Sequence, residues 1–216
     1  MRQRQEAGKS AAEHEGTVVI AIVDYGAGNL TSVAKALRHL GALVEITADP
    51  IAVAAADAVV LPGVGHFAST QTIGQQGLTP AIRDAIASDK PFLGICVGLQ
   101  WVFAGSAEAP ETAGLGCFDA TCERFPAGAR VPHVGWNQLE ITRPSRLLEG
   151  VRNDAHVYYT HSYFAPVVPE TVATTEYGCD FTAVVERGNT FAVQFHPEKS
   201  GENGLTILRN FVRLAC

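Results

Sequence analysis

The sequence predicts an α/β fold, a doubly wound and mostly parallel sheet with an added antiparallel sheet. Up to about residue 103, continuous β-branched runs alternate with segments whose apolar residues recur at helical spacing, the pattern of βαβ units. From residue 114 to 194 the runs are strand-like and follow one another without helical periodicity, which favours antiparallel pairing. The chain has 216 residues, 47% of them apolar, enough for one generous core and tight for two.

The elements follow in order. Residues 17–23 form a β-branched run. Asn29 then precedes Leu30, Val33, Leu37 and Leu40 at helical spacing, and Gly41 stops that helix. Residues 42–47 and 58–61 read as two further strands, the latter ended by Pro62-Gly63. Thr79-Pro80 reads as an N-cap and first helical residue, opening a helix that runs to about Ser88, and residues 91–95 form a fourth buried strand. In the second half the strand-like runs are 135–141, 156–165, 182–186 and 191–194, with Arg187-Gly188-Asn189 as a hairpin turn between the last two. Leu205, Leu208, Phe211 and Val212 give residues 204–214 an amphipathic helix to close the fold. Residues 1–16 are polar, mix both charges and lack the apolar stretch of a signal peptide, so they read as a flexible tail before a single domain at 17–216.

Composition narrows the function. A formal charge of -6 without a Lys/Arg block argues against nucleic acid or an anionic membrane as partner. No apolar run approaches the roughly 20 residues that span a bilayer. The five cysteines are odd in number and form no CxxC pair, which fits neither a zinc site nor a secreted disulfide framework. A soluble protein of a reducing cytoplasm is the expectation.

One cysteine stands out by its setting. In Gly94-Ile95-Cys96-Val97-Gly98 a buried strand runs into Cys96 and a helical stretch follows, with glycines where side chains would collide. The arrangement parallels the Gly-x-Ser-x-Gly nucleophile elbow with sulfur in place of oxygen. A helix N-terminus favours the thiolate, and the Val97 N–H would face a developing oxyanion. Taken alone the pentapeptide is more readily a structural cysteine, so context has to decide. That context is Phe191-Ala192-Val193-Gln194-Phe195-His196-Pro197-Glu198. Pro197 pushes His196 into an extended conformation, so His196 and Glu198 should project from one side of a strand end. A carboxylate on one imidazole nitrogen would then fix the tautomer and leave the other to exchange protons with sulfur.

Together the Cys96 elbow, the Gln194-Phe195-His196-Pro197-Glu198 run and Pro62-Gly63-Val64-Gly65 after a strand resemble the class I, or triad, glutamine amidotransferases, from about residue 18 to 212. The resemblance implies a flavodoxin-like sheet and a reaction that needs no cofactor or metal. The substrate would be L-glutamine, whose side-chain amide the cysteine attacks. It makes Cys96 the nucleophile, His196 the acid and base and Glu198 its orienter. The backbone of Val97 with Gly63, Val64 and Gly65 would form the oxyanion hole, and Gln100, His161, Ser162 and Tyr163 would hold the substrate. His66, at a position more often small in that family, could alter access beside the hole.

Asp24-Tyr25-Gly26-Ala27-Gly28-Asn29, Pro132-His133-Val134-Gly135-Trp136-Asn137 and Tyr159-Thr160-His161-Ser162-Tyr163 look like the branch of the family serving imidazole glycerol phosphate synthases in histidine biosynthesis. That likeness implies a heterodimer with a cyclase subunit, a (β/α)8 barrel, docked against His133, Trp136, Asn137 and Lys199. The alternative within the enzyme class is the same glutaminase chemistry feeding another acceptor, as in anthranilate or aminodeoxychorismate synthesis. The first glycine-rich turn lacks the third glycine and the acidic partner of a dinucleotide site.

Overall fold

The computed structural model describes residues 18–216, so residue 17 and the expected tail at 1–16 lie outside the described residues. Strand β1 (Val19–Val23) leads to helix α1 (Leu30–His39), β2 (Leu43–Thr47), α2 (Pro50–Ala55) and β3 (Ala58–Gly63). Helices α3 (Gln71–Gln75) and α4 (Leu78–Ala87) precede β4 (Phe92–Cys96), α5 (Val97–Val102), β5 (Phe103–Ser106) and β6 (Phe118–Arg124). Next come β7 (His133–Gln138), β8 (Glu140–Ile141), β9 (His156–His161) and β10 (Tyr163–Phe164). Strands β11 (Thr171–Glu176), β12 (Asp180–Arg187) and β13 (Thr190–Val193) lead to the last helix, α6 (Gly201–Leu214).

The main sheet has eight strands in the order β2-β1-β3-β4-β13-β12-β11-β8. Its β2-β1-β3-β4-β13 part is parallel and its β12-β11-β8 part antiparallel. Much of the expected antiparallel addition is thus a continuation of the parallel sheet. The rest forms a three-stranded sheet (β10-β6-β5) and a two-stranded ribbon (β7-β9). Because β1 sits between β2 and β3, right-handed crossovers place α1 on one face and α2 with α4 on the other, and α6 packs against α1. Strands β3 and β4 are buried along their whole length, as expected for a parallel sheet covered on both faces.

Several local readings are corrected. Gly77, not Thr79, precedes α4; its left-handed φ of 73° is a conformation glycine reaches at little cost. Pro80 therefore falls at the third helical position, where its missing N–H still has no intrahelical partner to lose. Strand β3 continues through Pro62 and Gly63 instead of ending there, because Gly63 pairs with Cys96. The 135–141 run divides into β7 and β8, and the 156–165 run into β9 and β10. The expected hairpin is present, with Arg187 paired to Thr190 across Gly188 and Asn189. Strand β11 went unread because Thr171, Thr174 and Thr175 look polar, yet all three are buried. Thr171 shares a hydroxyl bond with Thr182 at 2.7 Å and Thr175 one with Tyr159 at 2.7 Å.

Candidate active site

Three parallel strands end side by side at the site. The register Gly63↔Cys96 lays the end of β3 along the nucleophile turn, and Val193↔Ile95 brings Gln194 and His196 to its other flank. Ligands of open α/β sheets bind at such carboxyl ends.

At the turn Cys96 has φ 54° and ψ -107°, a strained conformation for a residue with a side chain. The neighbouring backbone packs tightly on both sides of it. A Cβ at Gly98 would stand 2.0 Å from the Leu61 carbonyl oxygen, and one at Gly94 would stand 2.7 Å from the Gly98 oxygen. Gly63 is similarly enclosed, 2.6 Å from the Val97 Cβ by the same measure. The glycines flanking Cys96 are thus required by close approach of strand, helix and strand, and the sulfur stands at the first turn of α5.

His196 is fixed by its backbone and by its ring. Its N–H donates to the Tyr158 carbonyl at 2.9 Å, and its own carbonyl accepts from the Ser200 hydroxyl at 2.7 Å. Its Nδ1 bonds Glu198 Oε1 at 3.0 Å, with both side chains buried. A 3-10 turn, Pro197–Lys199, rather than a continuing strand carries Glu198 back under the ring. Among the described residues Nε2 has no partner in hydrogen-bonding geometry and is left for the sulfur. Burial works to depress the His196 pKa, but the Cys96 sulfur and the Glu198 carboxylate overcome it and push it up to about 9.

A cavity of about 220 Å³ opens above the sulfur, lined by Gly65, Cys96, Val97, Gln100, Glu108 and Thr160 among others. His161, Ser162 and Tyr163, expected at the substrate, line it as well. Gln100 Nε2 donates to the Tyr163 carbonyl at 2.9 Å, which leaves Oε1 a buried acceptor without a partner among the described residues. Among the described residues Glu108 is the one carboxylate in the lining, and its Oε2 accepts from the Phe67 N–H at 2.8 Å. Sequence reasoning missed it: the stretch after β5 is irregular, and nothing in its pattern points back to the elbow. His66, whose Nδ1 accepts from the Ala68 N–H at 3.1 Å, caps its own 3-10 turn.

Of the expected docking residues, three reach the surface and one does not. Trp136 is 56% exposed, Lys199 is exposed with its Nζ 5.9 Å from the Tyr158 ring, and Asn137 is half-buried. His133 is 4% exposed and points inward, stacked on Tyr159 and Tyr177. The strand period decides this: with Trp136 and Val134 facing out, His133 must face in. Its Nδ1 lies 3.0 Å from His161 Nε2. Since His161 Nδ1 donates to the Tyr163 carbonyl at 2.8 Å, Nε2 is the acceptor and His133 the donor. Burial lowers both pKa values, to about 4 for His133 and about 3 for His161, so both imidazoles are neutral at physiological pH.

A cysteine on a strand-to-helix turn, a buried His–Glu pair behind it and a small polar cavity in front form the arrangement of acyl transfer through a thioester. Residues 21–215 match the family described as glutamine amidotransferase class-I. The chain belongs to the class I glutamine amidotransferases. Among amidotransferase relatives, it is 50% identical over 197 residues to "Imidazole glycerol phosphate synthase subunit HisH" of Methanothermobacter thermautotrophicus, covering 91% of this chain and 98% of that one. It is 44% identical over 201 residues to "Imidazole glycerol phosphate synthase hisHF, chloroplastic" of Arabidopsis thaliana, covering 90% of this chain and 34% of that protein. A solved glutamine amidotransferase superposes with a TM-score of 0.72 at 22% identity, covering 90% of this chain and 98% of the other. Among the described residues of this amidotransferase, no helix is long and apolar enough to cross a membrane.

Proposed function

We propose that this amidotransferase is the glutaminase subunit of an imidazole glycerol phosphate synthase and that it works in histidine biosynthesis through a Cys96 thioester. The observation that carries the chemistry is the buried His196–Glu198 pair at 3.0 Å, with the free imidazole nitrogen left for Cys96. The relatives named as subunits of that synthase support the pathway.

L-glutamine enters the cavity with its side-chain amide carbon against Cys96 Sγ. The Gln100 Oε1 acceptor and the Glu108 carboxylate suit the N–H groups of the substrate, Glu108 the α-ammonium in particular. Among the described residues no Lys or Arg lines the cavity, and neutral donors such as those of Ser162 and Tyr163 are placed to meet the α-carboxylate. The thiolate adds to the amide carbon, and the oxyanion takes hydrogen bonds from the Val97 N–H and the Gly63–Gly65 backbone. Imidazolium His196 gives its proton to the departing nitrogen, ammonia leaves and the thioester remains. Neutral His196 then deprotonates a water, which attacks the thioester, and glutamate departs as the thiolate is restored.

In bulk water at neutral pH ammonia is mostly ammonium, which has no lone pair for attack. A closed path to a second active site is therefore part of the proposal. That site belongs to the cyclase subunit, a (β/α)8 barrel, which uses the ammonia to form imidazole glycerol phosphate and an aminoimidazole carboxamide ribotide. The region similar to this chain fills only 34% of the Arabidopsis protein, which leaves ample length there for a second catalytic unit. Trp136, Asn137 and Lys199 mark the docking side, with Val134 exposed beside them.

The deciding measurement is glutamate release from glutamine with the cyclase subunit and its ribulosyl-aminoimidazole substrate. Stimulation over the isolated chain is expected. No stimulation would sink the pathway, and undiminished turnover by Cys96→Ala would sink the chemistry.

A further inference from the structure

The mechanism above leaves one fully buried side chain unused, although it touches the reacting sulfur. Gln194 leaves β13 beside the elbow with its backbone N–H on the Ala183 carbonyl at 2.9 Å, and its amide has no access to water. Its Nε2 donates to Cys96 Sγ at 3.7 Å, a hydrogen-bonding distance for sulfur. Its Oε1 accepts from Gln100 Nε2 at 3.4 Å. The other Gln100 N–H is committed to the Tyr163 carbonyl, which cannot donate and so fixes which way the Gln100 amide faces. The direction of each bond in the series then follows. Tyr163 orients Gln100, Gln100 orients Gln194, and Gln194 presents a donor, not an acceptor, to the sulfur.

We propose that Gln194 is a further catalytic residue, whose amide N–H holds the Cys96 thiolate in place and is kept pointing at it by Gln100. The inference rests on the reading of Cys96 as the nucleophile and deepens it. A donor on sulfur favours the charged form over the neutral thiol, because a hydrogen bond to an ion is stronger than one to a neutral group. It acts in both halves of the reaction. It steadies the sulfur that attacks the amide carbon, and it receives the thiolate again when water breaks the C–S bond of the thioester. The series also ties substrate recognition to nucleophile readiness, since Gln100 offers Oε1 to the cavity and Nε2 to Gln194.

Iodoacetamide tests this without glutamine or a partner, since alkylation consumes the thiolate with loss of iodide and passes through no oxyanion. Cys216, which is exposed, serves as an internal reference in the same molecule when each thiol is followed by peptide mass spectrometry. At pH 7, Gln194→Met keeps the length and apolar bulk but removes the donor. It is expected to slow Cys96 alkylation roughly ten- to a hundred-fold relative to Cys216, the usual worth of a charge-assisted bond. Gln100→Met, which leaves Gln194 free to turn, is expected to slow it about three-fold, although no substrate is present for Gln100 to bind. In the glutaminase assay Gln194→Met should lower kcat with KM for glutamine little changed.

Wild-type alkylation of Cys96 in folded Gln194→Met overturns the proposal. Should that variant fail to fold, an unchanged rate in Gln100→Met overturns it equally. If the wild type released no glutamate with its partner, the glutaminase reading would fall, and the alkylation rates would still decide what Gln194 does at the sulfur.

Discussion

The nucleophile turn and the β7–β9 ribbon face each other across one cavity and are built by opposite means. At the turn, side chains are excluded: Gly63, Gly94 and Gly98 let three backbones approach until a single methyl group would collide. In the ribbon, side chains do the building. His133, Tyr159 and His161 fill the inner face with stacked, hydrogen-bonded rings, while Val134 and Trp136 stand outward, each 56% exposed. The turn is thereby closed in by its own strands, whereas among the described residues the outer face of the ribbon carries exposed apolar side chains. The difference separates a region that holds reacting atoms still from one suited to sensing a partner.

The sharpest way to break the comparison is a methyl group at the turn. Gly98→Ala places Cβ 2.0 Å from the Leu61 oxygen, which must displace α5 or β3. A loss of about 4 kcal/mol or more is expected, seen as a fall in Tm of roughly 10 °C or more by calorimetry, with glutamine turnover lost. An alanine that left Tm unchanged would mean the turn is not set by backbone contact. On the ribbon the same kind of cut should spare the fold. Trp136→Ala is expected to shift stability by no more than about 0.5 kcal/mol, yet to weaken binding of the cyclase subunit by about 2 kcal/mol, roughly thirty-fold by titration calorimetry. Equal effects on folding and binding would erase the distinction.

Protons sharpen the same contrast. At the turn, His196 is pushed up to about 9, so the imidazolium proposed to protonate the leaving nitrogen persists until then. The kcat/KM for glutamine should therefore fall about ten-fold per pH unit on the alkaline side of about 9. A limb near 7 would show that Cys96 and Glu198 do not hold the proton on His196. In the ribbon the sign is reversed, because His133 and His161 lie at about 4 and about 3, below the 6.5 of a free imidazole. Above pH 6.5 folded and unfolded chains are alike neutral there, and the stability is complete. As pH falls from 6.5 towards 4, the unfolded chain binds protons that the folded one refuses, and stability is lost. Melting curves from pH 7 to 4 should show the decline, and His133→Phe should make it shallower.

Legibility in the sequence followed the same division. The parallel half was readable because burial on both faces writes continuous apolar runs, and the elbow because its glycines flank a single cysteine. His196 and Glu198 were readable as a pair two residues apart, although the 3-10 turn joining them was not. The ribbon was harder. His133 looks like a surface residue until the register shows that it meets His161, and a register between distant segments is not written in either one. Strand β11 was hidden by threonines whose polarity is satisfied only across strands. Glu108 came from an irregular stretch with no period to read, and α2 was announced by an Asp49-Pro50 start that the reading passed over.

Ile95 and Val193 are far apart in sequence and adjacent in the sheet. Everything between Cys96 and Thr190 is topologically an excursion that leaves one strand and returns to the next. The ribbon, the three-stranded sheet and the antiparallel strands β12, β11 and β8 all lie on that excursion, while the β4–β13 pairing brings Cys96 and His196 to neighbouring strand ends and the Tyr158 carbonyl of the ribbon ties the His196 N–H. The outward side chains of the ribbon can therefore vary, while its backbone bond from Tyr158 to His196 must stay. An open outer face and the bond that holds the buried histidine thus share one two-stranded ribbon, whose two sides answer to different constraints.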